Sequence, residues 1–409
     1  MKIAVISEGD IPSQWAHSIN TVNHANGFFN LGHNVEILVI KKYRQFFLRN
    51  SNKKIQKFYG INQNIKIRLF LEDPRKLLKR FPRIYQFINK IFRRFPRFNE
   101  LIKPEQRIAN YCIKKKIDLT YCRSYLGPYY TIKKNIPTIT EIHTNDIDKK
   151  DFLTLMTLSK NKNFRVLVTI HEILKQSYST RGMSRNKILV LEDAVNLEKF
   201  DRLIDDKKKT RKILKLGTND KIIMYCGSLK SGKGISIILE TAKRLKNYKF
   251  ILVGGTEKNI NYWKMLMTKD NLHNVFFTGF VTPKIVPHYL KSADVLFMPY
   301  DLKEKNRVMD INTTSPLKLF EYMASKRPIV TTKIPTIEKI VSHEEHALLT
   351  APNDIQDIID NIQRLMNDEK LDKTISENAY RRVKEFTYEK RCKRILDFIQ
   401  EFESYFAFT

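Results

Sequence analysis

The chain has 409 residues, 42% of them apolar, with 18 Tyr and 25 Phe. That excludes a disordered polymer and is too long for one ordinary core, so two domains are expected. Lys and Arg number 74 against 43 Asp and Glu, and the net charge of +31 calls for a polyanionic partner: nucleic acid, an anionic membrane surface or phosphorylated small molecules. No apolar run reaches the length of a bilayer span, and Met1 to Ile6 leads into Glu8 and Asp10 like a strand rather than a leader. A cytosolic protein is expected. Cys112, Cys122, Cys226 and Cys392 lack metal-ligand spacing and read as free thiols.

Residues 2–7 read as a buried parallel strand, 19–31 as a helix and 35–40 as a second strand, the opening βαβ unit of a doubly wound domain. From Arg75 to Arg107 the chain carries 11 Lys or Arg against Glu100 and Glu105. Within it Ile84, Phe87, Ile88, Ile91, Phe92 and Phe95 recur at helical spacing, with Pro82 and Pro96 as bounds. Two readings fit: a helix lying in an anionic membrane interface, or a core helix with a basic outer face. Residues 116–121 and 138–142 read as further strands. The second ends in Glu141-Ile142-His143, which places polar groups at the carboxyl edge of the sheet, where ligands bind in open α/β folds. Strands are also expected at 166–170 and 188–191, and the charged run 205–211 suits a surface near a linker.

A second strand-loop-helix opening starts at Lys221, where Ile222-Ile223-Met224 runs into a Gly- and Lys-rich loop holding Gly227, Ser228, Lys230, Gly232, Lys233 and Gly234. Strands follow at 250–255, 275–281, 294–299 and 328–332, with helices at 285–290, 355–366, 372–383 and 388–402. Between the last two strands lies Asn312 to Ala324, NTTSPLKLFEYMA. Ser315 can cap this helix and Pro316 can occupy its first turn, so that the Leu317 and Lys318 amides, the helix dipole and the Lys318 ammonium favour an anion at one point. Glu321, one turn on, offers a carboxylate to a vicinal diol such as a ribose. A surface amphipathic helix would show the same periodicity.

The run Ser315, Pro316, Lys318, Glu321, Tyr322, Met323, Ala324 resembles the signature of retaining glycosyltransferases of family 4, and the resemblance extends over most of the chain. It implies an α/β GT-B fold of two facing Rossmann-like, doubly wound domains with a cleft between them. The N-terminal acceptor domain is expected at residues 1–203, the nucleotide-sugar domain at 204–387, and a helix of about 388–409 crossing back to the first. The implied reaction moves a sugar from a nucleotide-diphosphate sugar, UDP favoured over GDP, to a hydroxyl of a glycan or lipid-linked acceptor with retained anomeric configuration, in bacterial surface polysaccharide or glycan-precursor synthesis. No cofactor is expected, and with no Asp-x-Asp pair placed as a metal site, no metal.

By the same resemblance His143 contacts the donor sugar, Lys233 and Lys318 hold the diphosphate, and Glu321 holds the ribose. Ser228 and Lys230 lie in the phosphate loop. Gly279, Phe280 and Val281 lie against the base, and Thr313, Thr314, Ser315, Pro316 and Leu317 form the backbone cradle. Two departures stand out: Thr313 replaces a glutamate of the pattern, and the first loop, Ser13 to Ser18, lacks a glycine pair. A catalytically inactive GT-B scaffold is therefore the alternative. The basic stretch Arg75–Arg107 suggests peripheral attachment to the inner face of the cell membrane. Without a nucleic-acid motif to accompany the charge, nucleic acid is not an expected partner.

Overall fold

The computed structural model describes residues 1–7, 9, 11–13, 15–41, 52–73, 75–78, 81–94, 103–124, 127–144, 146–303 and 316–407. The chain divides into two compact units, Met1–Glu192 with Tyr388–Thr409, and Asp193–Thr387. The expected boundary at 203 lies eleven residues later than the division at 192. Val195 bridges to Thr387 and Phe200 packs in the second unit's core, which draws this stretch into the second unit.

The first unit is built on seven parallel strands in the order β3-β2-β1-β4-β5-β6-β7: β1 (Lys2–Ser7), β2 (Asn34–Lys41), β3 (Lys66–Leu71), β4 (Leu119–Cys122), β5 (Thr138–Glu141), β6 (Phe164–Thr169) and β7 (Ile188–Val190). Ile3, Ala4, Val5 and Ile6 are buried on both faces of β1, which explains an unbroken apolar run instead of an alternating one. Ile3 pairs with Val35 on one side and Leu119 on the other, so the strand order reverses between β1 and β4. Strand β3 escaped the sequence reading. Lys66 and Arg68 are exposed at this edge of the sheet, and charges at an edge dilute the apolar signal.

The helix Ala16–Asn30 is buried nearly all round, polar residues included, because the helix Tyr388–Ala407 covers it. Gly27 lets the two approach: a Cβ there would lie 2.8 Å from the Tyr388 carbonyl oxygen. From that last helix Arg391 enters the core. Its Nη2 donates to Glu141 Oε2 at 2.9 Å, its Nη1 to the carbonyls of Leu191 and Glu192, and its Nε to His24 Nε2 at 3.1 Å. His24 Nδ1 donates to the Asn20 carbonyl at 2.9 Å, which with the Arg391 contact assigns a neutral imidazole. Tyr121 donates to Glu141 Oε2 at 2.5 Å. Burial would raise the Glu141 pKa, but Arg391, His24 and His143 outweigh it and hold the carboxyl well below its usual range. Burial pushes His24 down to about 4.

The second unit has six parallel strands in the order β10-β9-β8-β11-β12-β13: β8 (Ile222–Cys226), β9 (Lys249–Val253), β10 (Val275–Gly279), β11 (Val295–Met298), β12 (Ile329–Thr332) and β13 (Leu348–Thr350). Apolar cores lie on both faces of this sheet, and its order reverses between β8 and β11. Strand β13, three residues long, also escaped the sequence reading. All four cysteines are buried and free.

Two outcomes test the buried network. Arg391→Met leaves the Glu141 carboxylate without its cation, and denaturant unfolding should show a loss of about 3–5 kcal/mol. For His24, whose folded pKa of about 4 lies below its ordinary 6.5, the contribution is complete above pH 6.5 and fades as pH falls toward 4. The unfolding free energy should therefore drop by about 3 kcal/mol over that interval at roughly 1.4 kcal/mol per unit, and a His24→Gln variant should show a flatter profile.

Candidate functional site

At the point of strand reversal in the second unit, the loop after β8 lies beside the helix Leu317–Ala324. The helix is tied to the strand end by Tyr322, whose hydroxyl accepts from the Cys226 amide at 2.7 Å. Pro316 stands at the N-cap rather than in the first turn and supplies no side-chain cap. Thr313, Thr314 and Ser315 lie outside the described residues. Lys318 Nζ donates to the Tyr225 hydroxyl at 2.9 Å and sits 4.3 Å from its ring centroid. Tyr225 in turn donates to the Ser228 carbonyl at 2.9 Å, so one phenol sets both the loop and the lysine. Gly227 gives Lys318 its room: a Cβ there would meet Lys318 Cδ at 2.9 Å and Nζ at 3.3 Å.

Cation density is the main property of this pocket. Burial, with Lys233 adding repulsion, lowers the Lys318 pKa to about 7, and burial with Lys230 lowers Lys233 to about 8. Two partly desolvated ammonium groups repel one another across a glycine loop, an arrangement that a bound polyanion relieves. Glu321 is partly buried and, among the described residues, accepts no hydrogen bond and forms no ion pair. Burial raises its pKa to about 7 against the pull of Lys199 and Lys318. Lys199 was not anticipated. It comes from the short helix Glu198–Asp201, and its own pKa falls to about 8 by burial, offset in part by Glu321 and Glu198. Its position in an ordinary charged run gave no signal.

Gly279 ends β10 with φ +72, and its carbonyl accepts from the Gly254 amide at 2.9 Å. Beyond it Phe280 is 46% exposed and Val281 half-buried, leaving an apolar shelf after the glycine. Ser228 and Lys230 are exposed, and Leu317 is half-buried. The structure thus brings Gly227, Lys318 and Tyr225 into contact and couples Lys233 and Glu321 to Lys318 electrostatically.

Residues 206–382 match the family of glycosyl transferases group 1. Lys233, Lys318 and Glu321 fall inside that segment, whereas Lys199 precedes it. The chain is 30% identical over 158 residues to TuaH of Bacillus subtilis, a glycosyltransferase assigned to teichuronic acid biosynthesis, covering 38% of this chain and 37% of TuaH. It is 26% identical over 228 residues to the capsular polysaccharide biosynthesis glycosyltransferase CapM of Staphylococcus aureus, covering 53% of this chain and 56% of CapM. These matches span about a third to a half of each relative. The crystal structure of Anabaena HepE in complex with UDP and glucose superposes with a TM-score of 0.68 at 14% identity, covering all of this chain and 99% of HepE. The fold is therefore the α/β architecture of the GT-B glycosyltransferases, two Rossmann-like parallel-sheet units, as the sequence led one to expect.

His143 belongs to the first unit. Its Nε2 donates to Glu141 Oε1 at 2.6 Å and its Nδ1 accepts from Arg123 Nη2 at 2.8 Å. The expected contact of His143 with a donor sugar finds both ring nitrogens already in use.

Two outcomes test the lysine pocket. Gly227→Ala should displace Lys318 and weaken binding of UDP at least tenfold in calorimetry, with Gly227→Ser at least as damaging. Because empty-site Lys318 and Lys233 shed protons near pH 7 and 8, nucleotide affinity should fall by up to tenfold per unit between pH 7 and 9. Calorimetry at pH 8 in buffers of different ionisation enthalpy should record proton uptake on binding, and a flat affinity profile would contradict the assignment.

Proposed function

We propose that the chain is a retaining glycosyltransferase that moves a sugar from a nucleotide-diphosphate donor, with UDP as the favoured nucleotide, to a hydroxyl of a glycan or lipid-linked acceptor. The observation that carries this reading is Lys318, seated over Gly227 by the Tyr225 hydroxyl and near enough to Lys233 to feel its charge, with the Glu321 carboxylate one helical turn on accepting no hydrogen bond among the described residues. Departure of a nucleoside diphosphate concentrates negative charge on the leaving oxygens, and fixed cations in a poorly solvated pocket stabilise that charge more in the transition state than in the ground state. The ammonium groups of Lys318 and Lys233 take that role, and Glu321 accepts from the ribose hydroxyls one helical turn away. Phe280 and Val281 form the shelf for the base. No metal is required by this scheme.

Surface polysaccharide or glycan-precursor synthesis is the proposed setting, supported by the likeness to CapM and TuaH. A further relative, from Acholeplasma laidlawii, is a processive diacylglycerol alpha-glucosyltransferase, 23% identical over 207 residues. Attachment to the inner face of the cell membrane through Arg75–Arg107 belongs to the same proposal. Phe81, Ile84 and Phe87 are 59%, 51% and 65% exposed along the helix Pro82–Arg94, with Arg83, Lys90 and Arg94 exposed beside them. A core helix would bury that apolar row, so its exposure supports the interfacial reading of the sequence over the core one. Among the described residues no helix is long and apolar enough to cross a membrane.

A thermal-shift screen against UDP, GDP and ADP should show stabilisation by one diphosphate, undiminished by EDTA. Glu321→Ala should lower affinity for that nucleotide tenfold or more and reduce hydrolysis of the matching nucleotide sugar to background; unchanged turnover sinks the ribose role. Vesicles containing phosphatidylglycerol should co-sediment the protein, and Phe87→Glu should release it.

A further inference from the structure

The first unit holds a cation that the proposed chemistry does not use. Arg123 follows directly on β4, at the carboxyl edge of the sheet beside the β1/β4 reversal, where open α/β sheets bind their ligands. Its Nη2 donates to His143 Nδ1. Its Nη1 is buried and has no hydrogen-bond partner, and among the described residues the guanidinium forms no ion pair. The Glu141 carboxylate is not available to it. One Glu141 oxygen is taken by His143 and the other by Tyr121 and Arg391, and Arg391 already balances its charge. Arg123 therefore stands at this edge as a positive charge whose only hydrogen-bond partner among the described residues is an imidazole nitrogen. A buried guanidinium arm left without an acceptor is costly, by about the amount that a charged hydrogen bond would return.

We propose that Arg123 is an oxyanion-binding residue of the first unit, receiving a phosphate or carboxylate group of a substrate, and that His143 positions it through Nδ1. The imidazole can accept from Arg123 only while Nδ1 is unprotonated, and the hydrogen bond from Nε2 to Glu141 enforces that tautomer. Glu141, His143 and Arg123 thus form a hydrogen-bonded row that fixes the guanidinium at the sheet edge. Calling the anion a substrate's rests on the transferase reading; the binding of an anion does not.

The test uses inorganic phosphate as probe and the full chain. Phosphate is titrated calorimetrically into Lys318→Ala protein, in which the second unit's pocket has lost its central cation, and into the same variant carrying Arg123→Gln. UDP is titrated into wild-type protein and into Arg123→Gln. Loss of phosphate affinity by tenfold or more in the double variant, with UDP binding unchanged within twofold, assigns the oxyanion to the acceptor. A tenfold loss of UDP affinity in Arg123→Gln assigns it to the donor diphosphate. No change in either titration overturns the proposal, whatever nucleotide screens of the wild-type protein reveal.

Arg123→Lys, which keeps the charge but not the fork, should retain part of the affinity and guards against a folding defect. For His143, Ala should weaken phosphate binding several-fold, and Gln, which can accept from Arg123 and donate to Glu141, should restore it. Equal affinities in the Ala, Gln and native proteins would overturn the positioning role.

Discussion

The buried polar centre of the first unit depends on one carboxylate. Glu141 has no exposed side-chain surface, yet it stays ionised because Arg391, Tyr121 and His143 surround it with donors. Each donor comes from a different element: the last helix, β4, and the segment after β5. Removing a charge from water is compensated only when every lone pair finds a partner, and satisfying Glu141 forces these elements into one arrangement. His24 and its tautomer follow from the same demand, since Arg391 needs an acceptor for its Nε.

The second unit follows the opposite logic. Where its strand order reverses, like charges and an acid gather: Lys318 beside Lys233, the Glu321 carboxylate, which accepts no hydrogen bond among the described residues, and glycine where a side chain would crowd Lys318. A structural ion-pair network would have closed these contacts. Perturbed titrations gathered at a sheet's reversal point are the mark of groups held for a ligand. Tyr225 makes this tolerable, because its ring face and hydroxyl steady Lys318 without neutralising it.

Most strands and both units were legible in the sequence, because a parallel strand buried on both faces writes a continuous apolar run. Strand β3 was hidden by Lys66 and Arg68 at the sheet edge. In the second unit the named residues sit within short loops or one helical turn, yet the spacing of Lys318 and Glu321 equally fits a surface helix, and it was the family resemblance that singled them out. Tyr225, Lys199, Arg123 and Arg391 were marked by neither. Glu141 at a strand end announces that a buried acid needs a cation, but nothing local says which of 74 basic residues arrives, and the one that does lies 250 positions away.

The helix Tyr388–Ala407 packs into a unit whose other residues end at Glu192. A ribosome making this protein therefore finishes the first sheet long before the piece that neutralises its interior. Through the synthesis of nearly two hundred further residues, the nascent first unit carries Glu141 without Arg391 and leaves the Ala16–Asn30 helix uncovered. Chaperone dependence during translation, and rapid proteolysis of products lacking the last helix, follow from the order in which the residues are joined.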